Sequence, residues 1–569
     1  MNDRHKKINI AILSSFTLNS LPAELKKVCH DAKINVDVYL GKYNQYVQEI
    51  LDGNSGLYKF KPDVIILFID AKTLLGELFF NPYGSQKDIW EKWPNTISRN
   101  LSDLIRKLLN KTEAKIIFHN FETPIYSPLG IIENRKRSGY FESIEKLNTI
   151  LRGSFKDNNR VFIFDYNNFC SRIGKENIID SKMYYLGDIK ISFKYLTQLC
   201  HEYLAYIIPI AAKTKKCLVF DLDNTLWGGI IGEDGFEGIK LGPTPEGKPF
   251  LEFQKHILAL HNRGLMLAIN SKNNPADALK VLREHPYMIL KEENFVAKRI
   301  NWQDKITNMK ELAKELNIGL DSFIFFDDDK VNREMVKKYL PQVEVVEMPE
   351  DPSLYPLTLF KINSFNTFQI TEEDRKRNEM YIQEKKRIEL KNEVQNLEEF
   401  IKSLELETAI LKADKFTIPR ISQLTLKTNQ FNVTTKRYNE GQIKNFIKSD
   451  KYLIKCYQIV DKFGDYGITG VAIIKQINKD WLIDTFLLSC RVLGKNVEFA
   501  IMGSIIKEAK KKKIKKIISE FVPTSKNKPA ENFYQDCRFK IIEKTAGRTK
   551  YSFDIKKDGF IQPNYINIH

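Results

Sequence analysis

Two apolar runs, in CLVFDLDNTLWGG (217–229) and SFIFFDDD (322–329), stop abruptly on carboxylates. A solvated turn accounts for a lone Asp. It does not account for apolar strands that deliver Asp221 and Asp223 at the end of one run, and Asp327 and Asp328 at the end of the other. Runs this apolar fit strands covered on both faces, as in a parallel sheet with helices packed above and below. In such sheets ligands bind beyond the carboxyl ends of the strands. The fold class and the chemistry are therefore read from the same residues.

At 569 residues the chain exceeds a single core, and three domains are expected. Residues 1 to about 205 alternate apolar strands (INIAILSSF, INVDVYL, PDVIILFID, AKIIFHN, NRVFIFDY) with segments of helical spacing, which predicts a parallel α/β sheet. Residues 214 to about 350 repeat the pattern with KCLVFDLD, RGLMLAIN, SFIFFDDD and VEVVEMP. Two helical stretches, NPADALKVLREH and DKITNMKELAKELN, lie between the second and third of these. The charged stretch near 370–402, free of Gly and Pro, reads as a linking helix. A mixed α+β region follows. The resulting division is 1–210, 211–365, a linking helix at 366–403, and 404–569.

No apolar run is long enough to span a membrane, and the N-terminal apolar stretch is too short for a signal peptide. The seven cysteines form no CxxC pair, which argues against a zinc knuckle or disulfide frame and for a reducing cytoplasm. The net charge of +17 is spread along the chain. Without a recognisable motif or a basic face interleaved with aromatics, it does not predict nucleic-acid binding. It does favour an acidic partner.

Phosphate-ester chemistry needs a nucleophile, a proton donor for the leaving oxygen, and a cation to mask phosphoryl charge. Asp221 is the candidate nucleophile. Asp223, on the same side of an extended chain, is the candidate acid–base. Ser271, after the strand LMLAIN, can bond the phosphoryl oxygens, and Lys305 can neutralise them. The Asp221 carboxylate, the Asp223 carbonyl, Asp327 and Asp328 can share a Mg²⁺, a hard ion that prefers oxygen. Taken singly these residues have ordinary explanations: Lys305 as a solvated helix residue, Ser271 as a helix N-cap. Taken together and in this order they point to phosphoryl chemistry.

That order resembles the haloacid dehalogenase (HAD) superfamily. DLDNTLWGGIIGEDGFEGI, FLEFQ, RGLMLAINSKNN, HPYMIL, NWQDK, ELNIGLDSF and FFDDDKVNRE together resemble the FkbH-like, subfamily IIIC phosphatases. The resemblance implies a phosphorylated small-molecule substrate. In members associated with polyketide pathways it implies a glyceryl unit taken from 1,3-bisphosphoglycerate and loaded onto an acyl carrier protein. Other relatives belong to cell-surface polysaccharide loci. Two departures stand out: Asn270 occupies a position that is Cys in carrier-loading relatives, and the fourth motif reads Asp327-Asp328-Asp329-Lys330-Val331-Asn332. No inserted cap domain fits between Thr225 and Leu265 or between Ser271 and Lys305, where only a helix and a connection are expected. Trp227 and the glycines after it are candidates to gate or shape the open site.

In the C-terminal region, a strand followed by Arg491-x-x-Gly494-x-Asn496 and a helix resembles the pyrophosphate loop of GNAT acyltransferases. NFYQDCRF resembles the GNAT ending. The resemblance implies CoA or phosphopantetheine held by Arg491, Gly494 and Asn496, with Cys490 beside them either as a thiol for acyl transfer or as a buried strand-end residue. In the N-terminal region, IAILSSFTLN, PDVIILFIDA and IIFHNFETP resemble an SGNH-hydrolase-like domain. Ser14 or Ser15 falls where a nucleophile would stand and Asn120 where an oxyanion site would be. Ile191 takes the place of the expected His after Asp188, so a binding or structural role is expected there. The expected whole is α/β: an SGNH-like domain, a HAD-like doubly wound sheet without a cap, and a GNAT-like α+β domain. A non-catalytic scaffold of a biosynthetic complex is the rival reading.

Overall fold

The computed structural model describes residues 7–83, 89–136, 138–370, 396–545, 547–560 and 562–569, together with Gln383, Arg387, Leu390 and Val394. Most of the expected linking helix at 366–403 lies outside the described residues; its end, Leu397–Ser403, is helical. The chain forms two compact units, Met1–Ala211 and Ala212–His569.

The first unit is built on five strands: β1 (Ile8–Ser14), β2 (Val36–Leu40), β3 (Val64–Phe68), β4 (Lys115–His119) and β5 (Val161–Phe164). They pair in parallel in the order β2-β1-β3-β4-β5. β1 and β3 are almost wholly buried, because helices cover both faces of the sheet. Strand order reverses between β1 and β3, and Ser14, Ser15 and Asp70 stand at that point.

The second unit holds two sheets. The first contains β6 (Cys217–Phe220), β7 (Met266–Ser271), β8 (Phe295–Ile300), β9 (Phe323–Phe326) and β10 (Glu344–Val345), all parallel, in the order β10-β9-β6-β7-β8. β8 corrects the expectation that only a helix and a connection separate Ser271 from Lys305. Its FVAKRI sequence carries Lys298 and Arg299 on an edge strand, so it lacks the continuous apolar run of its neighbours. Between Asn224 and β7 lie only the short helix Ile231–Gly238 and the helix Lys248–Asn262, so no cap domain is inserted there. The segment after β10 folds back onto the sheet. Tyr355 Oη donates to Asn224 O (2.9 Å), Lys215 N to Ser364 O (2.7 Å) and Arg263 Nη2 to Phe365 O (2.5 Å).

The second sheet of this unit contains β11 (Glu407–Lys412), β12 (Phe431–Asn432), β13 (Tyr452–Asp461), β14 (Gly464–Ile477), β15 (Asp480–Leu488), β16 (Lys516–Phe521), β17 (Lys540–Thr545), β18 (Arg548–Asp554) and β19 (Asn567–Ile568). The order is β17-β18-β16-β15-β14-β13-β11-β19, with β12 pairing to β15. Its core gathers Trp481, Phe486, Met502, Phe533 and Tyr534 between the sheet and the helix Val497–Lys511.

Candidate active site

In the β6 sheet the chain runs from β6 to β7 and β8 on one side, then returns to β9 and β10 on the other. The strand order therefore reverses at β6, and the crevice beyond its carboxyl end is where such a fold places a ligand. Asp221 stands there. Its N–H donates to Phe326 O (2.9 Å), which fixes it beside Asp327 and Asp328 at the end of β9. Carboxylate oxygens of Asp221, Asp327 and Asp328 lie within 4.8 Å of one another.

The Lys305 ammonium faces this cluster. Lys305 opens the helix Lys305–Glu315, whose N-cap is Asp304. It is not solvated but 4% exposed. Its ammonium lies 2.8 Å from Asp221 Oδ1 and 3.1 Å from Asp327 Oδ2, and donates to Asn270 O (2.7 Å). Asn270 returns the contact, its amide donating to Lys305 O (2.9 Å). Where carrier-loading relatives are expected to have a thiol, this chain thus has a buried clamp on the helix that carries Lys305. The sequence marked Asn270 only as a departure and gave no hint of this contact.

Three carboxylates against one ammonium leave an uncompensated negative charge in a poorly solvated place. Burial, with the Asp221 charge adding to it, pushes Asp327 up to about 7 and Asp328 up to about 6. Burial alone would lower Lys305, but the Asp221 and Asp327 charges outweigh it and raise the group. A divalent cation fits this donor set: three hard oxygens, close together, with surplus negative charge.

The signs give a pH prediction. An unfolded aspartate loses its proton near pH ~4, whereas these two keep theirs to about 6 and 7 in the metal-free fold. The fold binds more protons over that window, so without metal its stability falls as pH rises from about 4 to about 7. Mg²⁺ competes with those protons. The rise in melting temperature on adding Mg²⁺ should therefore grow between pH ~6 and ~7. A Mg²⁺ effect equal at both ends of that window would contradict this placement of the charges.

The Asp223 carboxylate is not one of the three gathered in the cluster. It accepts from Trp227 Nε1 (2.9 Å), Ile231 N (3.1 Å) and Asn273 Nδ2 (2.8 Å). Burial, with the Asp221 charge adding to it, raises its pKa despite these donors, which suits a group that must carry a proton. Trp227, which donates to Asp223, is fully buried. The loop around it turns on Asn224 and Gly229, both at positive φ. Gly229 N donates to Asn224 Oδ1 (2.8 Å), and a Cβ at Gly229 would lie 2.5 Å from Asp234 Oδ2. Trp227→Phe, which keeps an aromatic ring but removes the N–H and the rest of the indole, should lower kcat about tenfold. The Mg²⁺ dependence should stay unchanged; steady-state kinetics against Mg²⁺ concentration checks both.

Ser271 closes β7, 1% exposed. It is not a helix N-cap: that role belongs to Asn274, whose side chain accepts from Ala276 N. Three further residues hold the site and were not singled out from sequence. Thr225 Oγ1 donates to Asp328 Oδ1 (3.3 Å) and accepts from Asp328 N (3.2 Å). Arg333 Nη1 donates to the carbonyls of Asp327 and Asp328 (2.8 and 2.6 Å). Asn273, noted above, orients Asp223. Asn332 Nδ2 reaches Asp327 Oδ1 at 3.4 Å.

Elsewhere the sequence candidates are placed differently. Asn496, at positive φ, stands at the N-cap position of the helix Val497–Lys511 without a side-chain cap bond, its amide donating to Tyr565 Oη (2.8 Å). Gly494 has φ 75°, and Arg491 Nε donates to Ser489 Oγ (3.3 Å). Cys490 is partly buried against the core beneath β6 and β9. In the first unit, Ser15 Oγ accepts from Asp70 N (2.8 Å), Ser14 Oγ from Phe16 N (3.1 Å), and Asn120 donates to Asp165 Oδ1 (2.7 Å). Beside the expected histidine position, buried Lys190 is ion-paired with Asp70 and Glu122.

Residues 9–208 match the family described as FkbH, N-terminal domain. Among solved structures, the N-terminal part of the protein BF1531 from Bacteroides fragilis, containing a phosphatase domain complexed with Mg, is 31% identical. The match covers 64% of this chain and 95% of that one, with a TM-score of 0.59. The chain belongs to the FkbH-like family. Its phosphatase domain is of the HAD type. Two acetyltransferases are also similar to this FkbH-like chain, both at 14% identity. The ribosomal-protein-S18-alanine N-acetyltransferase of Escherichia coli covers 27% of this chain and 96% of its own, with TM-score 0.21. The PaiA N-acetyltransferase of Thermoplasma acidophilum, in complex with coenzyme A, covers 26% and 98%, with TM-score 0.20. No curated protein matches the sequence. Among the described residues no helix is long and apolar enough to cross a membrane.

Proposed function

We propose that the β6 sheet carries a Mg²⁺-dependent phosphatase working through an aspartyl-phosphate on Asp221. The observation that carries this reading is the gathering of Asp221, Asp327 and Asp328 oxygens within 4.8 Å, with Lys305 against them, at the reversal of strand order. Asp221 Oδ attacks phosphorus as the bond to the leaving oxygen breaks, and Asp223 passes its proton to that oxygen. Water then attacks the phosphoaspartate, Asp223 takes the water's proton, and phosphate leaves with Asp221 restored. Lys305 and Ser271 hold the phosphoryl oxygens. Asp221, Asp327, Asp328 and the Asp223 carbonyl would hold the Mg²⁺, which masks phosphoryl charge.

The substrate reading is finer. By family resemblance it is a phosphorylated acyl donor such as 1,3-bisphosphoglycerate, with the glyceryl unit passed to an acyl carrier protein in the cytoplasm. The net charge of +17 supports an acidic partner. The SGNH-like first unit serves in binding or support, and the GNAT-like region 404–569 follows the phosphatase region 211–365. Phosphate release from 1,3-bisphosphoglycerate with Mg²⁺, abolished by chelation, tests the phosphatase. Intact-mass detection of a loaded carrier tests transfer; phosphate without loading would leave a hydrolase only.

A further inference from the structure

The parallel strands β15 and β16 pair only over Trp481–Ile483 with Ile517–Ser519, and then part. β15 runs on to Leu488, and the loop 490–496 leads from it into the helix Val497–Lys511. A diphosphate held at the start of that helix would send a pantetheine arm back along the edge of β15, where backbone groups could pair with its amides.

That edge is taken. Phe431 and Asn432 pair antiparallel with Leu488 and Leu487, and Val433 N donates to Phe486 O (3.2 Å). Thr434 Oγ1 donates to Asp484 O (2.9 Å). On the far side of the gap, Val522 N donates to Val433 O (2.8 Å). Asn527, fully buried, locks the bridge by donating to Asn432 O (3.0 Å) and Val522 O (2.9 Å). Residues 431–434 are all buried, and Phe431 packs edge-on against Phe533. They are an internal strand where an amide-bearing arm would lie.

The loop is committed as well. Cys490 O accepts from Asn317 Nδ2 (2.7 Å), which ties the loop to the connection before β9, and Lys526 pairs with Asp321 nearby (2.5 Å). Lys495 donates to Arg491 O (3.0 Å), and Asn496 is bonded to Tyr565.

We infer that residues 431–434 permanently fill the wedge between β15 and β16, so that neither CoA nor a phosphopantetheine arm binds there, and that the loop 490–496 docks the β15 sheet onto the phosphatase sheet. Acyl transfer by this chain, where it occurs, then does not pass through this wedge. The inference stands apart from the phosphatase reading, because phosphate release is measured separately on the same sample.

The test uses the full chain, active in phosphate release, with CoA and acetyl-CoA. The expected result is no saturable binding tighter than about 1 mM by calorimetry, and slow hydrogen exchange at 431–434 that CoA leaves unchanged. Binding tighter than that, or exchange at 431–434 slowed by CoA, would overturn the inference. Asn527→Ala should speed exchange at these residues about tenfold. Unchanged exchange in that variant would show that the segment is not held as described.

Discussion

Replacing Asp221 by Asn should cut Mg²⁺-dependent phosphate release by at least about 10³-fold, because the amide cannot form the acyl-phosphate bond. The same change should leave the metal-free fold as stable as before, or more so. Asp221 contributes to a cluster in which three carboxylates share one ammonium, and Lys305 keeps Asp327 as its partner at 3.1 Å. Neutralising one acid relieves repulsion without stranding the lysine. Loss of turnover with an unchanged or raised melting temperature is thus the expected pair of results. A variant that kept most of its activity would remove Asp221 from the chemistry, and one that unfolded would show that the cluster is balanced differently.

Lys305→Met should have the opposite signature. The substitution keeps an unbranched side chain of similar length but strips Asp221 and Asp327 of the ammonium that pairs with both, leaving the two acids facing each other. Removing one member of a buried charge pair costs about 3–5 kcal/mol. For a unit of this size that corresponds to a fall of about 5 °C in melting temperature. Mg²⁺ should restore part of the loss, since it supplies positive charge to the same oxygens. Turnover should fall about 10²–10³-fold even with saturating Mg²⁺, because the positive group near the phosphoryl oxygens is gone. Calorimetric scans with and without Mg²⁺, beside steady-state rates, separate the two losses. A Met variant as stable as the parent would show that Lys305 does not balance these acids.

The legible parts of this chain were those where burial on two faces writes a continuous apolar run. β6, β7 and β9 are such strands, and their ends carried the acids and Ser271. β8 was not legible, because an edge strand with Lys298 and Arg299 looks like a connection. The residues that orient the site were harder still. Asn270, Thr225 and Asn273 act through hydrogen bonds to groups far along the chain, and residue type alone does not announce a partner 35, 103 or 50 positions away; Arg333 reaches back to the nearby carbonyls of Asp327 and Asp328, which its type does not announce either. β12 has two residues, below the length at which any periodicity exists, so its pairing with β15 could only come from the fold. The resemblance of the 491–496 loop to a pyrophosphate loop was a local match, blind to what fills the adjoining gap.

The fold-back after β10 bears on how a gene for this protein can be divided. A boundary drawn just after the last strand of the phosphatase sheet, near residue 350, would discard Tyr355, Ser364 and Phe365. The loop carrying Asn224 would lose its tether, and the backbone N–H of Lys215 would lose its acceptor. Expression fragments of the phosphatase sheet should therefore extend at least through Phe365, and shorter ones should be recovered mainly as insoluble material.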